Sequence, residues 1–351
     1  MSPYVDLPLS AQTAYAQLFE AALAANLHRT VADLRGSFAR KRVSGHEYWY
    51  FQFTGLEGKL KQVYLGPATP QLEALIAVRQ SARRADPLTA LARSAQVLGM
   101  APMVPRQFRV LRRLADYGFF DAGSVLVGTH AFLAAGNALG VRWATPARTD
   151  DLDFEHAGKN LSLALPSTVA VDTPAAIASL ELGLLPARSL SGAPGPMYLN
   201  PKEPEFRLDF LTPLSRRNDA EIVHPRLGVA LQPLKFLEFV LEDVTQVVLF
   251  CAEGAVIASI PSPARYALHK LLVYGERSVA FRTKATKDLV QAAALLSLMK
   301  RDRPGDVESA WRDLVRRGSG WRRRVRESLS ALERVAPELD ATAWLSQLAP
   351  V

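Results

Sequence analysis

The chain has 351 residues, 49% of them hydrophobic, enough length and apolar content for two or three domains with a sizeable core. Its net charge of +8 and pI near 9.7 favour a polyanionic substrate or partner. A single cysteine, Cys251 inside the apolar run from Val247, excludes an intrachain disulfide or a cysteine zinc cluster, and no run of about 18 uncharged apolar residues that could cross a membrane occurs. The N-terminus lacks a basic, apolar and small-residue signal pattern, so a cytoplasmic protein is expected.

Residues 10–34 have helical apolar spacing (Tyr15, Leu18, Phe19, Ala22, Leu23), with Ser10 as a cap. The texture then changes. Residues 43–53 and 59–65, joined by a turn at Thr54-Gly-Leu-Glu-Gly58, predict a β-hairpin rich in aromatic and β-branched residues. Between residues 35 and 63 six Arg or Lys (Arg35, Arg40, Lys41, Arg42, Lys59, Lys61) stand against Glu47 and Glu57, interleaved with Tyr48, Trp49, Tyr50 and Phe51. Two readings stay open: the rings stack bases while the cations neutralise phosphates, or one face packs on the core and the other is solvated. Residues 71–98 read as helical, and Pro102-Met-Val-Pro105 as a joint to the next unit.

A helix over Gln107 to Tyr117 leads to the short apolar strand Ser124-Val-Leu-Val127. That run stops at Gly128-Thr129, and residues 131–139 have helical composition. A glycine lets backbone N–H groups approach a phosphate, and the helix N-terminus behind it favours negative charge. His130 follows the turn, as a phosphate contact or a hydrogen-bonded helix-start histidine. The next motif is Arg148-Thr-Asp-Asp151-Leu-Asp153-Phe154. On a strand, Asp151 and Asp153 project from one face while Leu152 and Phe154 take the other. Paired carboxylates repel unless a cation lies between them, and Mg²⁺ is the usual one with oxygen ligands. Metal beside phosphate suggests a nucleotide. Asp150 falls on the opposite face and reads as a loop or capping residue.

Of the segment that follows, only Pro174 to Leu184 reads as helical, and Gly192-Ala-Pro-Gly-Pro196 reads as a loop. Residues 205–213 return to strand alternation, with Phe206, Leu208 and Phe210 on one side and Arg207, Asp209 and Leu211 on the other. Asp209 is thus a third carboxylate, on a strand that could lie beside the first two. Short strands at 229–231 and within 247–260 precede a return to helix from Ser262, over 266–274 and 284–300. Residues 300–327 hold ten Arg or Lys against five Asp or Glu, densest in Trp321-Arg-Arg-Arg-Val-Arg326. Such a run is a solvated helix face or a surface for RNA or another anion.

With Gly128-Thr129, Asp151-Leu-Asp153 and Asp209 in this order, the chain resembles the polymerase-β-like nucleotidyltransferase superfamily. Within that superfamily it is most similar to an uncharacterised bacterial group and, more distantly, to the abortive-infection (AbiEii-type) toxin nucleotidyltransferases. Lys270 in Leu268-His-Lys-Leu-Leu272 resembles the toxin branch's downstream lysine, and Lys287-Asp288-Leu289 resembles its basic-Asp-Leu motif. The likeness spans roughly residues 105–300. It implies an α+β fold: a small mixed β-sheet nucleotidyltransferase core (102–260), flanked by an N-terminal helix and β-hairpin region (1–101) and a C-terminal helical domain (261–351).

The resemblance further implies two-metal transfer of NMP from an NTP substrate to a hydroxyl on an RNA end, a protein or a small molecule. Asp151, Asp153 and Asp209 would be catalytic and hold Mg²⁺ or Mn²⁺, and Gly128, Thr129, Arg148, Lys270 and Lys287 would bind the nucleotide. Lys270 has a second reading as a surface lysine, and Asp288 reads as a cap or salt-bridge partner. tRNA or another RNA is the expected macromolecular partner, through the basic hairpin and C-terminal helices, and no membrane is expected; the sequence does not specify an antitoxin or other partner protein. Two other classes are a non-catalytic nucleic-acid-binding protein on the same fold and a metal-dependent nuclease.

Overall fold

A computed structural model describes residues 2–27, 37–54, 60–82, 87–121, 123–144, 160–164, 173–178, 182–188, 194–214, 222–224, 229–275 and 282–349. The chain opens with β1 (Tyr4–Asp6) and the helix α1 (Leu9–Leu27). Next come three antiparallel strands, β2 (Ser37–Val43), β3 (His46–Thr54) and β4 (Leu60–Pro67), which form a separate sheet in the order β2-β3-β4. The expected hairpin is β3 and β4; the additional strand, β2, carries Arg40, Lys41 and Arg42 and pairs along the whole of its length with β3. The predicted helical stretch after it is two helices, α2 (Pro70–Ala82) and α3 (Pro87–Val97).

Helix α4 (Pro105–Asp116) has proline in its first turn, where the missing N–H costs nothing. It buries Phe108, Leu111, Leu114 and Ala115 along one stripe at helical spacing. Then follow β5 (Val125–Val127), α5 (Gly128–Ala138), β6 (Val141–Trp143) and β7 (Asn160–Ala164). After them come α6 (Thr173–Ala178), β8 (Leu185–Arg188), β9 (Pro194–Asn200), β10 (Glu203–Pro213), β11 (Ile222–His224), β12 (Val229–Leu234), α7 (Leu237–Leu241), β13 (Val244–Cys251) and β14 (Gly254–Pro261). The main sheet is mixed and runs β11-β12-β10-β7-β5-β14-β13, with β8 and β9 branching from β10. Part of the proline-rich segment expected to be a loop, Pro194 to Pro196, therefore belongs to a strand. Its prolines precede Met197, where pairing with β10 begins, and on the other side Pro194 stands opposite Arg188 at the end of the short strand β8.

Strand β13 ends the sheet, and the chain covers that edge. The Val248 N–H donates to the Tyr15 hydroxyl of α1 at 3.3 Å, and the Met103 N–H donates to the Phe250 carbonyl at 2.8 Å. Unpaired strand groups are otherwise a template for association. Burial holds the Tyr15 phenol well above its ordinary pKa. Ala11, Leu18, Ala92 and Ala95 of α1 and α3 pack with Val248, Phe250, Ala255 and Ile257 into a second core on this side of the sheet.

The C-terminal part is helical: α8 (Pro263–Tyr274), α9 (Arg282–Asp302), α10 (Pro304–Arg316), α11 (Ser319–Val335) and α12 (Ala341–Leu348). Trp311 is fully buried and its indole donates to the Ala349 carbonyl at 3.0 Å, tying the end of the chain to α10. Part of the basic run is structural: Arg317 pairs with Glu242 and Asp313 and lies over Phe239 and Trp321. Among the described residues no helix is long and apolar enough to cross a membrane.

One close approach fixes α5. A Cβ built on Gly136 would lie 2.6 Å from Trp143 Nε1. That indole stacks on Phe132 at 4.5 Å and donates to the Phe132 carbonyl at 2.8 Å, so it cannot swing aside without losing both contacts. Gly136→Ala is therefore expected to lower stability by about 1–3 kcal/mol, although alanine is favoured over glycine in a helix by roughly 1 kcal/mol. A denaturant midpoint at unchanged slope measures it.

Candidate active site

At Val127 the strand β5 is still extended (φ −124°, ψ −176°), and at Gly128 the backbone turns to φ +74° and enters α5. Only glycine takes that conformation without strain. The helix thus begins at Gly128 itself, three residues before the predicted stretch, and among the described residues no side chain caps its first N–H groups. Those donors and the positive end of the helix dipole face whatever lies before the turn. Gly128 and Thr129 are half-buried, while His130 is 6% exposed and turned inward.

The sheet register relates this turn to Asp209. Val127 is paired with Ser162 of β7, and Ser162 is paired with Asp209 of β10. Val127, Ser162 and Asp209 thus form one row across three neighbouring strands. Two inter-strand spacings put Asp209 about 10 Å from the residue before the glycine. Registered residues project to the same face of a sheet, so Asp209 shares the face of Val127. The next row, Leu126, Leu163 and Phe210, takes the opposite one. The burial of β10 agrees with that alternation: Phe206, Leu208 and Phe210 are buried and Asp209 is half-buried.

A second line of contacts comes from the C-terminal helices. The Tyr266 hydroxyl donates to the Gly128 carbonyl at 2.6 Å. Lys270, one helical turn later on α8, holds its ammonium 5.0 Å from the Tyr266 ring centre and 2.6 Å from Asp288 Oδ1 on α9. The Lys270 side chain is 12% exposed and that of Asp288 5% exposed, so Lys270 is a buried, ion-paired group and not a surface lysine. Burial alone would lower the Lys270 pKa, but the Tyr266 oxygen and the Asp288 carboxylate outweigh it, and the ammonium stays above the ordinary lysine range. Burial raises the Tyr266 phenol, which therefore remains a donor. Lys287 precedes Asp288 on α9 and is half-buried. Arg148, Asp151 and Asp153 lie outside the described residues.

Tyr266 is the contact that reading the sequence did not single out. The available signal was its place four residues before Lys270, which puts the two on one helix face. A cavity of about 130 Å³ lies between α5 and β13, lined in part by His130, Asn137, Met103 and Phe250. It is smaller than the roughly 300–1,000 Å³ of ligand pockets and too small for a nucleotide.

A nucleotidyltransferase family matches residues 106–316, more than half of the chain, and the match includes the turn, Asp209 and the α8–α9 pair. The chain belongs to that nucleotidyltransferase family. Nucleotidyl transfer is accordingly its general activity, and an NTP its donor substrate. Among solved structures, the chain is similar to an antigenic nucleotidyltransferase-like protein from Paracoccidioides brasiliensis, at 11% identity over 70% of this chain and 95% of that one, with a TM-score of 0.34. No curated protein matches it.

Proposed function

We propose that this nucleotidyltransferase moves NMP from an NTP to a hydroxyl of an RNA acceptor, with Mg²⁺ or Mn²⁺ held by Asp209, Asp151 and Asp153. The observation that carries the proposal is the row Val127, Ser162, Asp209, which sets a carboxylate and an uncapped glycine turn on one face of one sheet. Among the described residues there is no group of three or more His, Cys, Asp or Glu that could hold a metal. Asp209 contributes one hard oxygen donor of the kind these cations take, and the other two carboxylates would come from the Asp151-Leu-Asp153 segment. When bound, the cation neutralises triphosphate charge and lowers the pKa of the acceptor hydroxyl.

The chain's own groups do the positioning. The Gly128 and Thr129 N–H groups and the Thr129 hydroxyl bind the β and γ phosphates. Tyr266 holds the Gly128 carbonyl so that these N–H groups keep their direction, and the Lys270–Asp288 pair packs behind Tyr266 and braces it. Asp209 accepts a hydrogen bond from the acceptor hydroxyl and aims it at the α-phosphorus. The new bond joins that oxygen to the α-phosphorus as the bond to the β-phosphate bridging oxygen breaks; the hydroxyl's proton passes to the Asp209 carboxylate, and pyrophosphate leaves.

Incubation with each labelled NTP, Mg²⁺ and total RNA tests this reading. Label is expected on RNA and is expected to vanish with a chelator. Strand cleavage without label, or binding without either, would overturn it.

A further inference from the structure

The small β2-β3-β4 sheet has two unlike faces. On one, Arg40 pairs with Glu47 and Glu73 and lies over the Trp49 ring, and the Trp49 indole nitrogen is buried. Glu73 belongs to α2, so this face is turned towards that helix. Strand alternation puts Lys41, Tyr48, Tyr50, Gln52, Gln62 and Tyr64 together on the other face. Tyr64 stands between Tyr48 and Tyr50, at 5.9 and 5.5 Å between ring centres, and is 54% exposed. The Lys41 ammonium lies 5.0 Å from the Tyr50 ring centre and donates to Gln62.

We propose that this tyrosine face docks a single-stranded RNA and serves as the acceptor-binding surface. Tyr64, exposed between the half-buried rings of Tyr48 and Tyr50, gives a base a face to stack on, and a cation beside it meets the backbone. The charge is complementary to that ligand: of the three consecutive cations of β2, Lys41 stands on this face while Arg40 and Arg42 alternate onto the other, and among the described residues no Asp or Glu is registered beside the tyrosines, in a chain of net charge +8. Gln52 and Gln62 are registered partners next to the row of Tyr50 and Tyr64, and their amides both donate and accept. A 2′-hydroxyl also does both, which favours RNA over DNA. The role as acceptor site rests on the transfer reading above; the binding itself does not.

The test is fluorescence anisotropy of the full chain with a labelled, unstructured oligouridylate, without NTP. Tyr64→Ala is expected to weaken binding about tenfold, and Tyr64→Trp to restore it, since stacking and not the hydroxyl is at work. Lys41→Gln should lower the slope of log affinity against log salt by about one. The wild-type chain in chelator should bind as it does with Mg²⁺, while transfer is lost, so loss of transfer and loss of docking can be told apart. Unchanged binding by Tyr64→Ala would overturn the proposal, as would equal affinity for inorganic polyphosphate, which has charge but no bases. Equal affinity for the matching DNA would overturn the assignment to RNA.

Discussion

Asp209→Asn is expected to lower the rate of transfer by about 10²–10³-fold while leaving the fold intact. The carboxylate lies on the sheet face shared with Val127, away from the buried row of Phe206, Leu208 and Phe210. Its backbone remains paired with Ser162 on one side and Met197 on the other whatever the side chain. Asparagine keeps the shape and gives up the charge, so the substitution removes a metal donor and hydroxyl acceptor without opening a cavity. The loss belongs in kcat and kcat/KM together, because the charge acts as the transition state forms, whereas the NTP is gripped at the turn. Single-turnover transfer of labelled NMP, read beside a denaturant midpoint, separates the two. A folded Asp209→Asn protein that transfers at the wild-type rate would remove Asp209 from the chemistry.

Legibility in the sequence followed the strength of local patterning. Helices α4, α8 and α9 were visible because apolar residues recur at helical spacing, and Pro263 marks the start of α8. Strand β10 was visible because Phe206, Leu208 and Phe210 alternate with polar neighbours, and the same alternation gave Asp209 its face. Strand β2 was missed, since Ser37–Val43 contains Arg40-Lys41-Arg42 and shows no apolar alternation; β3 supplies the aromatic partners that make it a strand. Prolines hid the start of β9, and β6, three residues long, is defined by pairing with β1 at the far end of the sequence. The same distinction runs through the site. The glycine turn and its strand are local and were readable, whereas the hydroxyl of Tyr266 reaches Gly128 across 138 positions. No local spacing encodes such a contact.

Asp288→Ala should destabilise the protein by about 3–5 kcal/mol, because it leaves the Lys270 ammonium buried without its carboxylate. The cost is that of an uncompensated charge and not of a lost attraction. A double variant, Lys270→Met with Asp288→Leu, should therefore recover most of the stability, since an apolar pair of similar volume needs no desolvation. The pH dependence has a defined sign. The folded pKa of Lys270 lies above the ordinary lysine value, so the contribution of this group is complete at neutral pH and disappears as alkaline pH passes through that raised value. Below that range the wild-type midpoint should not respond to this group. Function gives the second readout. Tyr266 packs against the ammonium and holds the Gly128 carbonyl, so the refolded double variant should show a raised KM for NTP at the loosened turn. If Asp288→Ala lost less than about 1 kcal/mol, the size measured for exposed pairs, the pair would be too weak to brace the turn, and the route from α9 through α8 to Gly128 would fail.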